Sequence, residues 1–227
     1  PISGLWRVKR GPLSATAATG NRTALSVRYG NINLRAIKFS GTYMSTSNLQ
    51  ADKMEAIENG IRLTQKGADH RAPGYDLPLN KEVPMGQFGA VRSTRERWTC
   101  PEMDLRLDIV EVENGFNLQY KTDGGLDRVP IEIECTFEGP GEWETHDNVL
   151  QVENGQSAIL KSGYGTFHNG NEGIAIGPGS GIHRDWNMRG SDPDNDSFRV
   201  LITLQTPVDF TFEIRYGTWS LASKQLI

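Results

Sequence analysis

"FRVLITLQTPVDFTFEIRYG", residues 198–217, decides the fold. Apolar and polar residues alternate along both halves of the stretch, and a period of two puts successive side chains on opposite faces of an extended chain. Pro207 interrupts the pattern. Proline has no N–H to give to a ladder, so it belongs at an edge or between two strands. The stretch therefore reads as strand with a break at Pro207, which lies at an edge or between strands.

The same alternation recurs upstream. "IEIECTF" turns Ile131, Ile133, Cys135 and Phe137 inward. In "MDLRLDIVEV", Met103, Leu105, Leu107 and Ile109 face one way, and a slip of phase to Val110 and Val112 predicts a bulge. In "ALSVRYGNINLRAIKF", Leu25, Val27 and Tyr29 alternate up to a turn at Gly30–Asn31; Ile32, Leu34, Ala36 and Lys38 then share a face opposite Asn33, Arg35 and Ile37. "IENG" at 57–60 and "VENG" at 112–115 and 152–155 each lie between strand-like runs. Asn-Gly accepts the positive φ angles of a type I′ turn, so all three predict hairpins. "NLQADKMEAIENG" admits a short helix or a strand, and no long amphipathic window exists elsewhere. The sequence therefore predicts an all-β, antiparallel β-sandwich with many short strands and long loops.

Composition agrees. The 227 residues carry 25 glycines and 11 prolines but only 37% hydrophobic residues, which favours turns and short strands over long helices. We expect a single large β-sandwich over residues 1–227, with a possible subdomain boundary around 70–90, where prolines and glycines cluster. The net charge of −4 argues against a nucleic-acid partner or an anionic surface. No apolar run reaches the roughly 20 residues of a membrane span. The chain starts at Pro1, as a processed protein or an excised piece would. Cys100 and Cys135 could form one bridge, but two buried free thiols is the preferred expectation.

The polar stretch "GIAIGPGSGIHRDWNMRGSDPDND", residues 173–196, offers two metal readings. Pro178, His183 and Asn187 follow the second cupin motif, but Ser180 replaces its glycine and no His-x-His first motif exists. One imidazole falls short of the converging ligands a transition metal needs. Asp192, Asp194 and Asp196 place three oxygen ligands as a calcium loop begins; Ser197 then replaces the turn glycine and Thr203 the bidentate glutamate. A solvated acidic turn with no cofactor is the expectation, and a looser calcium site is the alternative. His168 and His183 are the candidates for acid–base catalysis. No nucleophile elbow or phosphate loop accompanies them.

Sugar binding fits more residues. A pyranose offers an apolar face for an aromatic ring and a circle of hydroxyls for polar groups. Three loop-like stretches carry that mixture: "GEWETHDN" (Trp143, His146), "GYGTFHNGNEG" (Tyr164, His168) and "IHRDWNMR" (His183, Arg184, Trp186). If the sheets bring these loops to one rim, they make a saccharide cleft.

The strands "ALSVRYGNINLRAIKFSGTYM" and "FRVLITLQTPVDFTFEIRYG", with hairpin turns between them, resemble the super-sandwich, or galactose-mutarotase-like, modules of heparinase II/III-like and related carbohydrate-active proteins. The resemblance spans most of the chain as a pattern of strands, and it transfers no catalytic residue. The helical toroid that accompanies those modules is missing here. The resemblance therefore implies an accessory module, extracellular or periplasmic, that binds or processes an oligo- or polysaccharide beside other domains of a larger protein. The alternatives are a structural or assembly module without a small ligand, and a stand-alone lyase, epimerase or cupin-like enzyme using His183.

Overall fold

The structure, a computed structural model, describes residues 3–43, 48–70, 75–185 and 196–227. In chain order the first strands are β1 (Leu5–Arg10), β2 (Leu13–Ala18), β3 (Leu25–Tyr29), β4 (Ile32–Gly41), β5 (Lys53–Ile57) and β6 (Gly60–Gln65). A ribbon of β7 (Tyr75–Asp76) and β8 (Arg97–Trp98) precedes the long strands β9 (Met103–Val112), β10 (Gly115–Gly124) and β11 (Pro130–Glu138). Then come β12 (Gly141–Thr145), β13 (Val149–Val152), β14 (Ser157–Ile159), β15 (Gly165–Asn169) and β16 (Glu172–Gly177). The series ends with β17 (Ser197–Gln205), β18 (Asp209–Ser220) and β19 (Gln225–Leu226). Strand accounts for 57% of the chain and helix for 7%, so the fold is the all-β sandwich that the alternation predicts.

One sheet runs β1-β2-β3-β4-β11-β17-β14; the other runs β13-β12-β15-β16-β18-β10-β9-β6-β5, with β19 added beside β18. All neighbours are antiparallel except β14 and β17. Aromatic pairs join the sheets. Phe39 stacks on Tyr120 at 4.6 Å, Phe137 on Phe167 at 4.7 Å, and Trp143 meets Phe198 at 5.9 Å. Each pair adds about 0.5–1.5 kcal/mol to the burial of the rings themselves. Cys135, inside β11, and Cys100 are buried free thiols.

Two details of phase differ from expectation. β9 pairs with β10 without a break from Met103–Gly124 to Val112–Gly115, so the expected bulge is absent; Val110 and Val112 are half-buried on the outer side. The irregularity lies in β4, where Ala36 pairs with Thr136 but Leu34 with Phe137, leaving Arg35 as an extra residue. An extra residue reverses the alternation beyond it. Ile37 and Phe39 therefore enter the core, in place of Lys38.

The Glu-Asn-Gly phrases also divide. Those at 57–60 and 112–115 are hairpins, closing β5–β6 and β9–β10. Asn59 and Asn114 take the left-handed conformation, each at φ 54°, while Gly60 and Gly115 already belong to the returning strands. A Cβ there would run into the carbonyl oxygens of Ile109 and Ile214. Close approach of the neighbouring strand requires the glycine, rather than an Asn-Gly type I′ turn. The third phrase makes no hairpin. It carries the chain from β13 in one sheet to β14 in the other, where the amide of Gly155 donates to Ser197 O at 2.8 Å and β14 lies parallel to β17. The open edge of β17 offers unpaired backbone groups, and they decide where the strand goes.

The region expected to mark a boundary is a surface excursion. From Asp76 to Trp98 no side chain is buried, and the ribbon is tied by Asp76, which accepts from Arg95 and, at 2.9 Å, from Arg97.

Candidate functional site

At one side of the sandwich the sheets end in edge strands β13 and β14, and a groove of about 690 Å³ opens between the β12–β13 hairpin and residues 158–164. Leu150, Ala158 and Leu160 give it an apolar base; His146, Asp147, Asn148, Lys161 and Ser162 supply a polar rim. Trp143 and Tyr164 both line it, in different ways. Trp143 points inward from β12, is 5% exposed and packs on Phe137 and Phe198. Only the edge of its indole can meet a ligand. Tyr164 is 48% exposed and offers a ring face. Burial, followed by the charge of Glu213, holds its phenol above the ordinary value. His146 is exposed, with Nε2 4.0 Å from Asp147.

"GEWETHDN" and "GYGTFHNGNEG" are thus not loops throughout: β12 and β15 run through them, and a strand splits its residues between two faces. On β15, Phe167 enters the core and His168 faces outward. His168 is nevertheless 3% exposed, because its ring stacks on Trp219 at 4.5 Å and 16°. Its Nε2 lies 3.7 Å from Glu142 and 3.6 Å from Glu144, the two outward carboxylates of β12. Lys224 donates to Glu144 at 2.6 Å, and Gln151 donates to Glu142. A second groove, about 340 Å³, is lined by Glu142, Gln151, His168, Asn169 and Leu221.

His183 lies at the edge of β17 that β14 also occupies, with its ring on the outer face of the first sheet. The segment 180–183 continues the edge beside β17 through Ile182 N–Thr203 O at 3.2 Å, and the His183 ring reaches Ile131 O at 2.9 Å. Thr203 Oγ1 donates to His183 O at 2.8 Å. This outer face of the first sheet holds buried polar residues. Glu134 is 1% exposed and takes Lys38 at 3.2 Å, Arg199 at 3.4 Å and the Thr136 hydroxyl at 3.2 Å. Glu132, Ser40 and Thr203 beside it are buried as well. Two glutamates at alternate positions of "IEIECTF" were the signal available, but alternation alone cannot say whether an outward face is covered.

The sequence-derived residues therefore separate into three places. Trp143, His146 and Tyr164 share the edge groove; His168 borders the second groove; His183 does not line either groove and sits farther along the β17 edge on the outer face of the first sheet, with Arg184 exposed beside it. Trp186, Asp192 and Asp194 lie outside the described residues, while Asp196 is exposed just before β17. Among the described residues no group of three or more His, Cys, Asp or Glu is arranged to hold a metal, and no described helix is long and apolar enough to cross a membrane. Compared with known proteins, the sequence matches no family model and no curated protein.

Proposed function

We propose that the chain is a saccharide-binding β-sandwich and that the groove between β13 and β14 is its binding site. One observation carries the reading: Trp143, His146 and Tyr164, singled out separately as sugar-binding types, line a single groove. The exposed Tyr164 ring supplies a stacking face, and Asp147, Asn148, Lys161 and Ser162 supply hydroxyl partners along the rim. A groove of about 690 Å³ falls in the range of small-ligand sites and leaves room for a short run of sugar units. The resemblance to carbohydrate-active super-sandwich modules points the same way and suggests an extracytoplasmic role beside other domains.

The test is a titration with oligosaccharides of differing composition, followed by tyrosine and tryptophan emission and by backbone amide signals. Binding should perturb residues 145–150 and 158–164, and Tyr164→Ala should weaken it about tenfold or more while leaving the far-ultraviolet spectrum intact. Perturbation only at His183 and Arg184 would place the ligand elsewhere and refute the assignment.

A further inference from the structure

The groove beside His168 is unusual in its electrostatics. Glu142 and Glu144 both turn outward from β12, and among the described residues Lys224 is their one ion-paired lysine or arginine. Glu144 is well covered, its side chain 11% exposed, whereas that of Glu142 is 37% exposed and lines the groove. Beneath them His168 is buried, and its Nε2 has no hydrogen-bond partner; the buried indole nitrogen of Trp219, stacked on the same imidazole, has none either. A buried donor or acceptor left without a partner costs about 1–3 kcal/mol, and His168 lies in the wall of the groove. The ammonium of Lys224 is taken by Glu144, so Glu142, the carboxylate that lines the groove, has no lysine or arginine partner among the described residues.

We propose that this groove binds a protonated amine, and specifically the ammonium group of an amino sugar. An ammonium carries three N–H donors and no acceptor, which complements the outward carboxylates, above all Glu142 on the groove wall. The contact that Lys224 makes with Glu144 shows the same chemistry already in use at this place. The hydroxyls of the sugar bring both donors and acceptors, which a simple amine lacks, and Asn169 and Gln151 on the groove wall can meet them. The two grooves also share a hairpin: Trp143 and Leu150 line one, Glu142 and Gln151 the other. A single glycan that passes the β12–β13 edge reaches both. The assignment of an amino sugar, as distinct from another amine, rests on the saccharide reading of the edge groove.

The experiment titrates the full chain with four probes: a glucosamine tetramer, its fully N-acetylated counterpart, a glucose tetramer and glucosamine monomer. Imidazole signals of His168 report the second groove, and amide signals around Tyr164 report the first. The glucosamine tetramer should move both sets and bind roughly tenfold or more tightly than the acetylated one, since a charged hydrogen bond is lost on acetylation. Glu142→Gln, at a half-exposed side chain, should erase that preference and leave the Tyr164 signals responsive. Equal affinity for the two tetramers, or binding that leaves His168 unmoved, overturns the amine site; if the glucose tetramer then still moves Tyr164, the saccharide groove survives. If glucosamine monomer moves His168 while no tetramer touches Tyr164, the amine site stands and the edge groove falls. Silence from every probe refutes both.

Discussion

Trp143→Ala should cost the protein stability before it costs affinity, and the size of that cost follows from where the indole lies. It is 5% exposed, wedged between Phe137 at 6.2 Å and Phe198 at 5.9 Å, and its edge covers Gly165, where any Cβ would strike the ring. An aromatic side chain buries about 150–250 Å², which at ~25 cal/mol per Å² corresponds to about 4–6 kcal/mol of transfer free energy. Alanine keeps a small part of that, and strand backbones on both sides prevent collapse into the space, so a net loss of about 3–5 kcal/mol is expected. With a urea slope of about 3 kcal/mol/M, the unfolding midpoint should fall by about 1–2 M. The assay is equilibrium urea unfolding followed by circular dichroism. A shift worth less than about 1 kcal/mol would mean that the indole is not a bridge between the sheets, and the account of the groove base would fail with it. Loss of sugar binding in this variant would thus say little about stacking.

Other perturbations separate packing from charge. Gly60→Ala puts a methyl group against Ile109 O and should destabilise by about 1–3 kcal/mol in the same urea assay, with no effect at the grooves. Glu134→Ala leaves the buried Arg199 and Lys38 without the carboxylate they share, and a loss of about 3–5 kcal/mol in thermal or urea unfolding is expected. Burial alone would raise the Asp108 carboxyl, but hydrogen bonds from Arg62 and Arg106 outweigh it and hold the group below its ordinary range. A depressed folded value contributes stability above the unfolded value near 3.9, and that contribution disappears as pH falls through the folded one. Asp108→Asn should therefore be less stable at neutral pH by about 1–3 kcal/mol and show a shallower acid limb in unfolding curves recorded from pH 6 to pH 2.

The sequence carried the fold well where apolar and polar residues alternate. β17 and β18 on either side of Pro207 follow directly from the alternation of Phe198 to Leu204 and of Phe210 to Tyr216. It carried less where a single residue changes the phase, as at Arg35, because a bulge has no compositional mark of its own. Three identical Glu-Asn-Gly phrases gave two hairpins and one crossover, since a turn permits a reversal but the unpaired edge of β17 determines where the next strand lies. The site was legible as residue types and not as a surface. Trp143 and His168 looked like neighbours on loops, yet strand geometry turned one inward and the other outward. The covered outer face around Glu132 and Glu134 was invisible, because burial of a polar face depends on segments distant in sequence.

The central claim is that a saccharide lies along the opening between β13 and β14, on the ring of Tyr164. Tyr164→Ala removes a half-exposed side chain that packs over Gly177, so a stability loss of about 1–3 kcal/mol is expected and both proteins are compared well below their unfolding transitions. The direct measurement is calorimetric titration of parent and variant with whichever oligosaccharide the parent binds. The account predicts at least a roughly tenfold loss of affinity, the weight of one stacking contact at a binding site. Equal heats and equal affinities for the two proteins would contradict it.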